Sequence, residues 1–282
     1  MRTRKNRLRR GGDAIAGMQG CVIIPSLLVD VKMKTRNTSY VTKIFFKDED
    51  YAEERAHNDM VISTIDPRNS FTSANYTTTP VDLRYLTPSE LKSCGKLKGV
   101  DLTTLKYLNY KYLGKSLDEI VNTNMKIDLT TCKNIIIATS NLATKILYLN
   151  NDLKLFHNDV HEGNIMYNFK EEHAYLIDFG GLSSKPNNGN ESTDLQGLIS
   201  SLRLLVTSVV NQKKLLQRYI DMLSSFLKDS SFVLVRSSEI KDPVESRSLI
   251  IKFLTDFSLS FVKTGGGKKT LRNKLHRNMH SL

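Results

Sequence analysis

Short runs of β-branched and aromatic residues in the first half of the chain predict β-strands. Three such runs are Cys21–Ile24, Tyr40–Phe46 and Thr104–Leu108. Between the second and third runs, residues Tyr51–Ile65 read as a helix, and Pro67 follows just beyond it as a stop signal. The first half therefore predicts a small sheet with one long helix.

The second half of the chain is predicted to be mainly helical. Residues 131–149 are apolar on nearly every side of a helix, which predicts burial almost all round. Two short strand patterns, Ile165–Tyr167 and Ala174–Ile177, flank a turn at 170–173 and predict a hairpin. Residues 194–262 have the apolar spacing of about three amphipathic helices.

Two polar segments rich in Ser, Thr and Asn, residues 68–80 and 183–193, predict loops. We find no internal repeat in the sequence. Strands with one helix, followed by a mostly helical half, indicate an α+β protein with two unequal parts.

The excess of positive charge belongs to the two ends of the chain. The 282 residues include 41 Lys and Arg against 29 Asp and Glu, a formal net charge of +12. Residues 1–10 hold six cations and no acid, and six more cations with no acid follow Asp256. Residues 11–256 are therefore formally neutral, which argues against a nucleic-acid-binding face on the folded body. The basic ends are either solvated tails or contacts for nucleic acid or another anionic surface.

The cysteines and the hydropathy pattern indicate in which cellular compartment the protein is expected. Cys21, Cys94 and Cys132 stand far apart with no CxxC spacing, so the sequence predicts neither a disulfide framework nor a cysteine zinc site and favours a reducing compartment. No apolar run approaches the ~20 residues that cross a bilayer. Gly-Gly-Asp, rather than an apolar core, follows the basic N-terminus, unlike in a signal peptide. We expect a soluble intracellular protein with no membrane span.

Two motifs in the second half carry the candidate chemistry. The segment 157–164, with the sequence HNDVHEGN, precedes the predicted hairpin, and the segment 177–180, with the sequence IDFG, follows it. Because a hairpin folds back on itself, its two ends can bring Asp159, Asn164 and Asp178 together. Two carboxylates and an amide oxygen suit Mg²⁺, with one carboxylate free to orient a hydroxyl or to take its proton.

The ordered pair HxDxxxxN and DFG resembles the catalytic loop and metal loop of the protein-kinase superfamily. The resemblance covers roughly residues 15–200 and implies a bilobal fold with a small β-rich N-lobe and a mainly helical C-lobe. It implies that Asp159 is the catalytic residue that orients the acceptor hydroxyl and accepts its proton. It also implies that Asn164 and Asp178 bind the Mg²⁺ ions that bridge the phosphates of ATP.

The first half resembles the nucleotide-binding part of the same superfamily. Residues 17–22, with the sequence GMQGCV, are similar to the latter part of the glycine-rich loop GxGxxGxV, with Ile15 at the first glycine position. Lys43 resembles the phosphate-pairing lysine of the family's VAIK strand. Residues 107–117 resemble the hinge that offers backbone groups to adenine.

The helix after the Lys43 strand offers two glutamates as its ion-pair partner. Glu54 shares a helical face with Val61 and Ile65 and is therefore preferred to Glu53, although the choice between them stays open. The implied nucleotide-binding residues are Gly17, Gly20, Val22, Lys43 and Glu54.

A narrower resemblance is to the serine/threonine kinase-like proteins of large nucleocytoplasmic DNA viruses. It is carried by Gly20-Cys21-Val22, Pro25, the strand at 41–45 and the helix end Ile65-Asp66-Pro67, and it implies the host cytoplasm or the virion as the location. The implied organisation is a basic tail at 1–12, an N-lobe at 13–110, a C-lobe at 111–262 and a second basic tail at 263–282.

The sequence departs from the protein-kinase pattern around its catalytic loop. Asn158 stands where the family has an arginine that pairs with a phosphorylated activation loop, which argues against switching by that route. His161 stands where serine/threonine kinases place a lysine, and HxDxHxxN resembles the loops of aminoglycoside and choline phosphotransferases. No APE triplet follows DFG. Asp194 is then either the aspartate that braces the catalytic loop or a plain helix cap.

The leading interpretation is an ATP- and Mg²⁺-dependent phosphotransferase, a serine/threonine protein kinase acting on a protein substrate. Two alternatives stay open. His161 and the missing APE triplet favour a small-molecule phosphotransferase. The missing first glycine and Asn158 favour a pseudokinase scaffold, although the lysine, the base and both metal residues are all present.

Overall fold

The computed structural model describes residues 13–16, 20–30, 35–72, 74–97, 99–123, 127–211 and 217–264. The chain is α+β and separates into two units. Unit 1 contains Met1–Asn69 and Ser73–Tyr112, and unit 2 contains Ser70–Thr72 and Leu113–Leu282. The predicted tail at 1–12, and the tail at 263–282 beyond residue 264, lie outside the described residues.

Unit 1 is built on strands whose β-branched and aromatic residues suit a pleated, half-buried sheet. Its strands are β1 (Asp13–Ala16), β2 (Gly20–Ile24), β3 (Val29–Asp30), β4 (Thr35–Arg36), β5 (Tyr40–Phe45), β6 (Tyr76–Thr77) and β7 (Tyr107–Lys111). Five of them form an antiparallel sheet in the order β1-β2-β5-β7-β6, and β3 pairs with β4. The strands predicted at 21–24 and 40–46 are thereby confirmed.

The described part of unit 1 also contains two α-helices. Helix α1 (Asp48–Met60) opens with three acidic residues that complement the positive end of its dipole, and it continues as a π-helical turn, Val61–Ile65, before Pro67. Helix α2 (Pro88–Ser93) begins with a capping box between Thr87 and Glu90. The predicted helix at 51–65 is confirmed, with its start three residues earlier at Asp48.

Two predictions for unit 1 were wrong in detail. The strand predicted at Thr104–Leu108 is displaced to β7, because the Asp101 carboxylate accepts hydrogen bonds from the backbone and hydroxyl of Thr103 over 3.0 and 2.7 Å and turns Leu102–Thr104 into a 3₁₀ helix. The predicted loop at 68–80 includes the short strand β6, which gains its hydrogen bonds only by pairing with β7.

The cysteine prediction is also corrected. The structure joins Cys21 of β2 to Cys94, just after α2, by a disulfide with the Cα atoms 6.0 Å apart, a separation within the usual range. The two cysteines are 73 residues apart, so only the packing of α2 near the sheet reveals them as a pair. Cys132 is free, and burial raises the pKa of its thiol to about 12.

Unit 2 is mainly helical. Its strands are β8 (Lys115–Ser116), β9 (Ile165–Asn168) and β10 (His173–Leu176), and its helices are α3 (Leu117–Asn122), α4 (Leu129–Asn151), α5 (Thr193–Asn211), α6 (Gln217–Glu239) and α7 (Pro243–Thr264). The strands form an antiparallel sheet in the order β10-β9-β8. The hairpin and the three helices predicted between 194 and 262 are confirmed.

Helix α4 forms the centre of unit 2. It is capped by the Asp128 carboxylate, which accepts from the backbone N–H of Thr131 over 2.7 Å, and it packs against β10, α5 and α7. Within the predicted span 131–149, only Asn141 and Lys145 are exposed, which confirms the expected burial. No helix in the described parts of the chain is both long enough and apolar enough to span a bilayer.

Candidate functional site

In unit 1, Lys43 and Glu54 form an ion pair between strand and helix. Lys43 lies on β5 between Val22 of β2 and Leu108 of β7, and its Nζ contacts Oε2 of Glu54 on α1. Both side chains are only 17% exposed. Glu53 is exposed on the neighbouring face of α1, so the structure pairs Lys43 with Glu54.

Tyr110 on β7 holds the other oxygen of this carboxylate. Its hydroxyl donates to Oε1 of Glu54 over 2.6 Å, and Nδ2 of Asn58 donates to the hydroxyl oxygen over 2.8 Å. Asn58 lies one helical turn beyond Glu54 on α1. The sequence analysis missed Tyr110, which stood inside the stretch interpreted as a hinge. The signal was its position two residues after Leu108, on the same face of the strand as the neighbour of Lys43.

Of the predicted glycine-rich segment, Gly20 and Val22 are described and Gly17 lies outside the described residues. A Cβ atom at Gly20 would stand 2.4 Å from the carbonyl oxygen of Ile44 on β5. A glycine at this position is therefore required by the close approach of β2 to β5. Val22 is half-buried and lies opposite Lys43 in the strand register.

In unit 2, the residues that precede and follow the β9–β10 hairpin come together as the motif spacing predicted. Nδ2 of Asn164 donates to both the backbone oxygen and Oδ2 of Asp159, each over 3.0 Å. The backbone oxygen of Asn164 accepts from the N–H of Ile177 over 3.0 Å, which brings the residue before Asp178 to the end of the loop. The Asp159 side chain is 56% exposed, so its carboxylate is accessible to a reacting group.

The oxygens of Asn164 and Asp178 fit Mg²⁺. Because Nδ2 of Asn164 donates to Asp159, its Oδ1 is the atom left to act as a ligand. The Asp178 residue is exposed, and its Oδ1 accepts a 3.4 Å contact from the N–H of Gly180. Neutral and anionic oxygens are the ligands that Mg²⁺ prefers. Across the described residues, no three His, Cys, Asp or Glu side chains form a metal-binding group. A metal here would take its remaining ligands from water or from a bound ligand.

His161 stands next to Asp159 in a defined tautomer. The backbone N–H of Gly163 donates to Nδ1 of His161 over 3.0 Å, which requires an unprotonated Nδ1 and leaves the ring proton on Nε2. Nε2 is 3.7 Å from Oδ2 of Asp159, and the imidazole is 47% exposed. Nε2 can therefore donate a hydrogen bond to a group beside Asp159.

His157, the first residue of the loop 157–164, is fully buried. Its Nε2 lies 3.0 Å from the carbonyl oxygen of Ile177, so Nε2 carries the proton and donates it, while Nδ1 has no hydrogen-bond partner within the described part of the chain. The ring packs edge-on against Phe179 with centroids 4.8 Å apart. Burial lowers the pKa of His157, which keeps the imidazole neutral.

The backbone of the loop is held by Asp194, and the structure decides between the two readings of this residue. Asp194 lies in the first turn of α5 and is buried. Its carboxylate accepts from the backbone N–H groups of His157 and Asn158, each over 2.8 Å. It therefore braces the loop and does not cap the helix. One turn along α5, a Cβ at Gly197 would stand 2.1 Å from the carbonyl oxygen of Val160. Gly197 is thus what lets the helix and the loop meet.

A comparison with models of known protein families finds no match to this chain, and a comparison with the sequences of curated proteins finds none either.

Proposed function

We propose that the protein is an ATP- and Mg²⁺-dependent phosphotransferase of the protein-kinase superfamily, with unit 1 as the N-lobe and unit 2 as the C-lobe. The observation that carries the proposal is the arrangement of the loop 157–164. An exposed carboxylate, Asp159, is fixed by the amide of Asn164, whose backbone is bonded to the residue before Asp178. An exposed carboxylate held by a neighbouring amide on a braced backbone supports this proposal, because transfer of a phosphoryl group to a hydroxyl needs a positioned base and oxygen ligands for a metal.

In unit 2, Asp159 would orient the acceptor hydroxyl and accept its proton. Asn164 and Asp178 would hold Mg²⁺, which supplies positive charge against the charge that develops on the phosphoryl group. His161 would donate a hydrogen bond from Nε2 to a phosphoryl oxygen, because its other nitrogen is already engaged by Gly163. Catalysis would then consist mainly of positioning and charge neutralisation.

In unit 1, Lys43 would bind the phosphates of ATP. Its pairing with Glu54, which Tyr110 holds in turn, fixes the ammonium group in one position on β5. A lysine whose side chain is already fixed loses little conformational entropy when it binds a phosphate. Gly20 and Val22 on β2 would contribute to binding the same nucleotide.

The proposed acceptor is a serine or threonine of a protein. The small-molecule alternative has specific support from His161, which occupies the position where a protein kinase of this type has a lysine, and from the short segment between Asp178 and α5 without an APE triplet. A pseudokinase scaffold is opposed by the Lys43–Glu54 pair and by the complete set of Asp159, Asn164 and Asp178. The location inside a host cell or a virion is part of the same proposal.

The test is transfer of labelled phosphate from ATP with Mg²⁺, using the purified full chain, generic protein acceptors and a panel of amino alcohols. We expect labelled protein with the wild type, and at least a ~100-fold loss in Asp159→Asn, in line with removal of a catalytic base. Asp152→Asn, which alters an exposed carboxylate at the end of α4, is the control and should retain full activity.

Label on the amino alcohols alone would replace the protein-kinase reading with the small-molecule one. Absence of all transfer, together with absence of Mg²⁺-dependent ATP binding, would overturn the proposal and leave the scaffold.

A further inference from the structure

The segment that follows the Asp178 motif, residues 181–187, lies on the surface of unit 2. In this segment only Leu182 is buried, and Pro186 is half-buried. Hydrophobic burial therefore contributes little to its position. At one end a backbone pair between Phe156 and Ser183 anchors it, with N···O distances of 2.8 and 3.0 Å. Within the segment, Oγ of Ser183 donates to the carbonyl oxygen of Lys185 over 2.5 Å and accepts from its N–H over 3.2 Å. A further contact reaches the segment from the loop 157–164.

That contact is the side chain of Asn158. Its Nδ2 lies 3.1 Å from the carbonyl oxygen of Gly181, 3.0 Å from Oγ of Ser183 and 3.1 Å from the carbonyl oxygen of Lys185. Its Oδ1 accepts from the backbone N–H of Asn187 over 2.7 Å. Two amide protons are thus shared among three oxygens of the segment, and the acceptor side of the same amide is also used.

Asn187 returns a further bond. Its Nδ2 donates to the backbone oxygen of Asn158 over 2.9 Å. Asn158 itself has a φ of +64°, a left-handed conformation that asparagine tolerates better than most residues. Because Asn158 immediately precedes Asp159, one residue joins the segment to the backbone that carries the catalytic carboxylate.

We propose that Asn158 is a positioning residue that holds residues 183–187 against the catalytic loop by neutral hydrogen bonds, so that the site is assembled without phosphorylation of this segment. The claim about activity rests on the proposed function, whereas the claim about the segment does not. The Asn158 amide supports this role because it supplies both a hydrogen-bond donor and an acceptor to the segment. The contact that orders the segment therefore includes no charged group.

Asn158→Asp is the sharpest variant, because it keeps the shape and the acceptor for Asn187 but replaces the donor group by an anion facing carbonyl oxygens. Asn158→Gly removes the side chain, and glycine adopts the left-handed backbone without strain. Comparison of the Asp and Gly variants therefore separates the effect of the hydrogen bonds from the effect of backbone strain. Asn187→Ala weakens the same contact from the other side, away from Asp159. Asn141→Asp, on an exposed position of α4, makes the same chemical change as a control.

The first measurement is backbone amide hydrogen exchange of the full chain, which needs no activity. We expect exchange at Asn187 to be at least about tenfold faster in Asn158→Gly, which removes the acceptor of its N–H. The N–H of Lys185 donates to Oγ of Ser183, and its exchange should rise in both Asn158 variants because the segment opens more often once the Nδ2 contacts are lost. Exchange in α4 should be unchanged, which shows that unit 2 is still folded. Unchanged exchange at 185–187 in Asn158→Asp and Asn187→Ala would overturn the proposal.

The second measurement is phosphate transfer before and after treatment of the wild type with a protein phosphatase. We expect equal rates, and a reduced kcat with little change in the KM for ATP in Asn158→Asp. Activity that disappears on dephosphorylation would overturn the claim of a pre-assembled site. If the wild type transfers no phosphate at all, the proposed function fails, and hydrogen exchange alone decides whether Asn158 holds the segment.

Discussion

The carboxylate of Asp194 accepts a hydrogen bond from the backbone N–H of Asn158, 36 residues earlier, over 2.8 Å. Its other oxygen takes the N–H of the preceding residue, His157. A buried anion that receives several N–H donors is well solvated by the protein itself. The conformation of the loop that carries Asp159 is therefore set by the first turn of α5.

Asp194→Asn should destabilise the fold. The asparagine keeps one acceptor oxygen but points an NH₂ group at a backbone N–H, which leaves a buried donor unsatisfied. We expect a loss of about 2 to 4 kcal/mol in the free energy of unfolding, measured by urea denaturation. Asp152→Asn, at an exposed position, should change stability by less than about 0.5 kcal/mol. Equal effects of the two substitutions would show that the hydrogen bonds of Asp194 to the loop backbone do not stabilise the fold.

Gly197→Ala should separate α5 from the loop. The added Cβ would stand 2.1 Å from the carbonyl oxygen of Val160, and a backbone atom cannot move aside as the end of a side chain can. We expect a loss of more than about 2 kcal/mol in unfolding free energy.

Gly95→Ala is the matched control for this substitution, since no described residue beyond its chain neighbours would lie within 4 Å of a Cβ at this position. Its effect should lie within about 1 kcal/mol of zero. A Gly197→Ala variant as stable as Gly95→Ala would contradict the close approach of helix and loop.

Glu54→Gln should impair nucleotide use, because it removes the charge that fixes Lys43 and replaces one acceptor of the Tyr110 hydroxyl. We expect the kcat/KM for ATP to fall by at least about tenfold, the equivalent of about 1.4 kcal/mol. Glu53→Gln, one residue away and exposed, provides the comparison and should behave as the wild type. A stronger effect at Glu53 would reverse the assignment.

His157 should make stability depend on pH. Burial lowers its pKa in the folded state, so below the ordinary histidine pKa of about 6.5 the unfolded chain takes up a proton that the folded chain does not. The contribution of His157 is therefore complete above pH ~6.5 and is lost as the pH falls below it, at up to about 1.4 kcal/mol per pH unit.

The measurement is urea unfolding at pH 7.5, 6.5 and 5.5, for the wild type and for His157→Phe. Titration of the other groups is common to both proteins, so the difference between them isolates His157. The wild type should lose more stability between pH 6.5 and 5.5 than the variant does. Parallel pH profiles would show that His157 is not held neutral by burial.

The sequence was sufficient wherever the determining interactions are local. The buried helix α4, the hairpin β9–β10 and the end of α1 before Pro67 follow from apolar periodicity, turn residues and proline, which act over a few positions. The spacing of Asp159, Asn164 and Asp178 around a hairpin also predicted that the two ends of the hairpin meet, because a hairpin returns the chain to its start. The structure brings Asn164 to Asp159, and it brings the residue before Asp178 to Asn164.

Local sequence patterns did not predict strand β6 or the exact bounds of β7. Strand β6 has two residues and no pattern of its own, and it exists because β7 offers it an edge. The displacement of β7 from its predicted position follows from the turn that the Asp101 side chain forms. The pairing of Cys21 with Cys94 required the packing of α2 near the sheet.

The α+β class, the main helices, the hairpin and the residue types that could support phosphoryl transfer thus follow from the order of residues along the chain. The tertiary structure alone decided that Glu54 rather than Glu53 meets Lys43, that Tyr110 holds Glu54, that Asp194 braces the loop and that Asn158 binds residues 181–187. Each of these is a contact between side chains or amides separated by 11 to 56 residues. Such contacts depend on how the elements pack, because propensity and periodicity extend over only a few turns of chain.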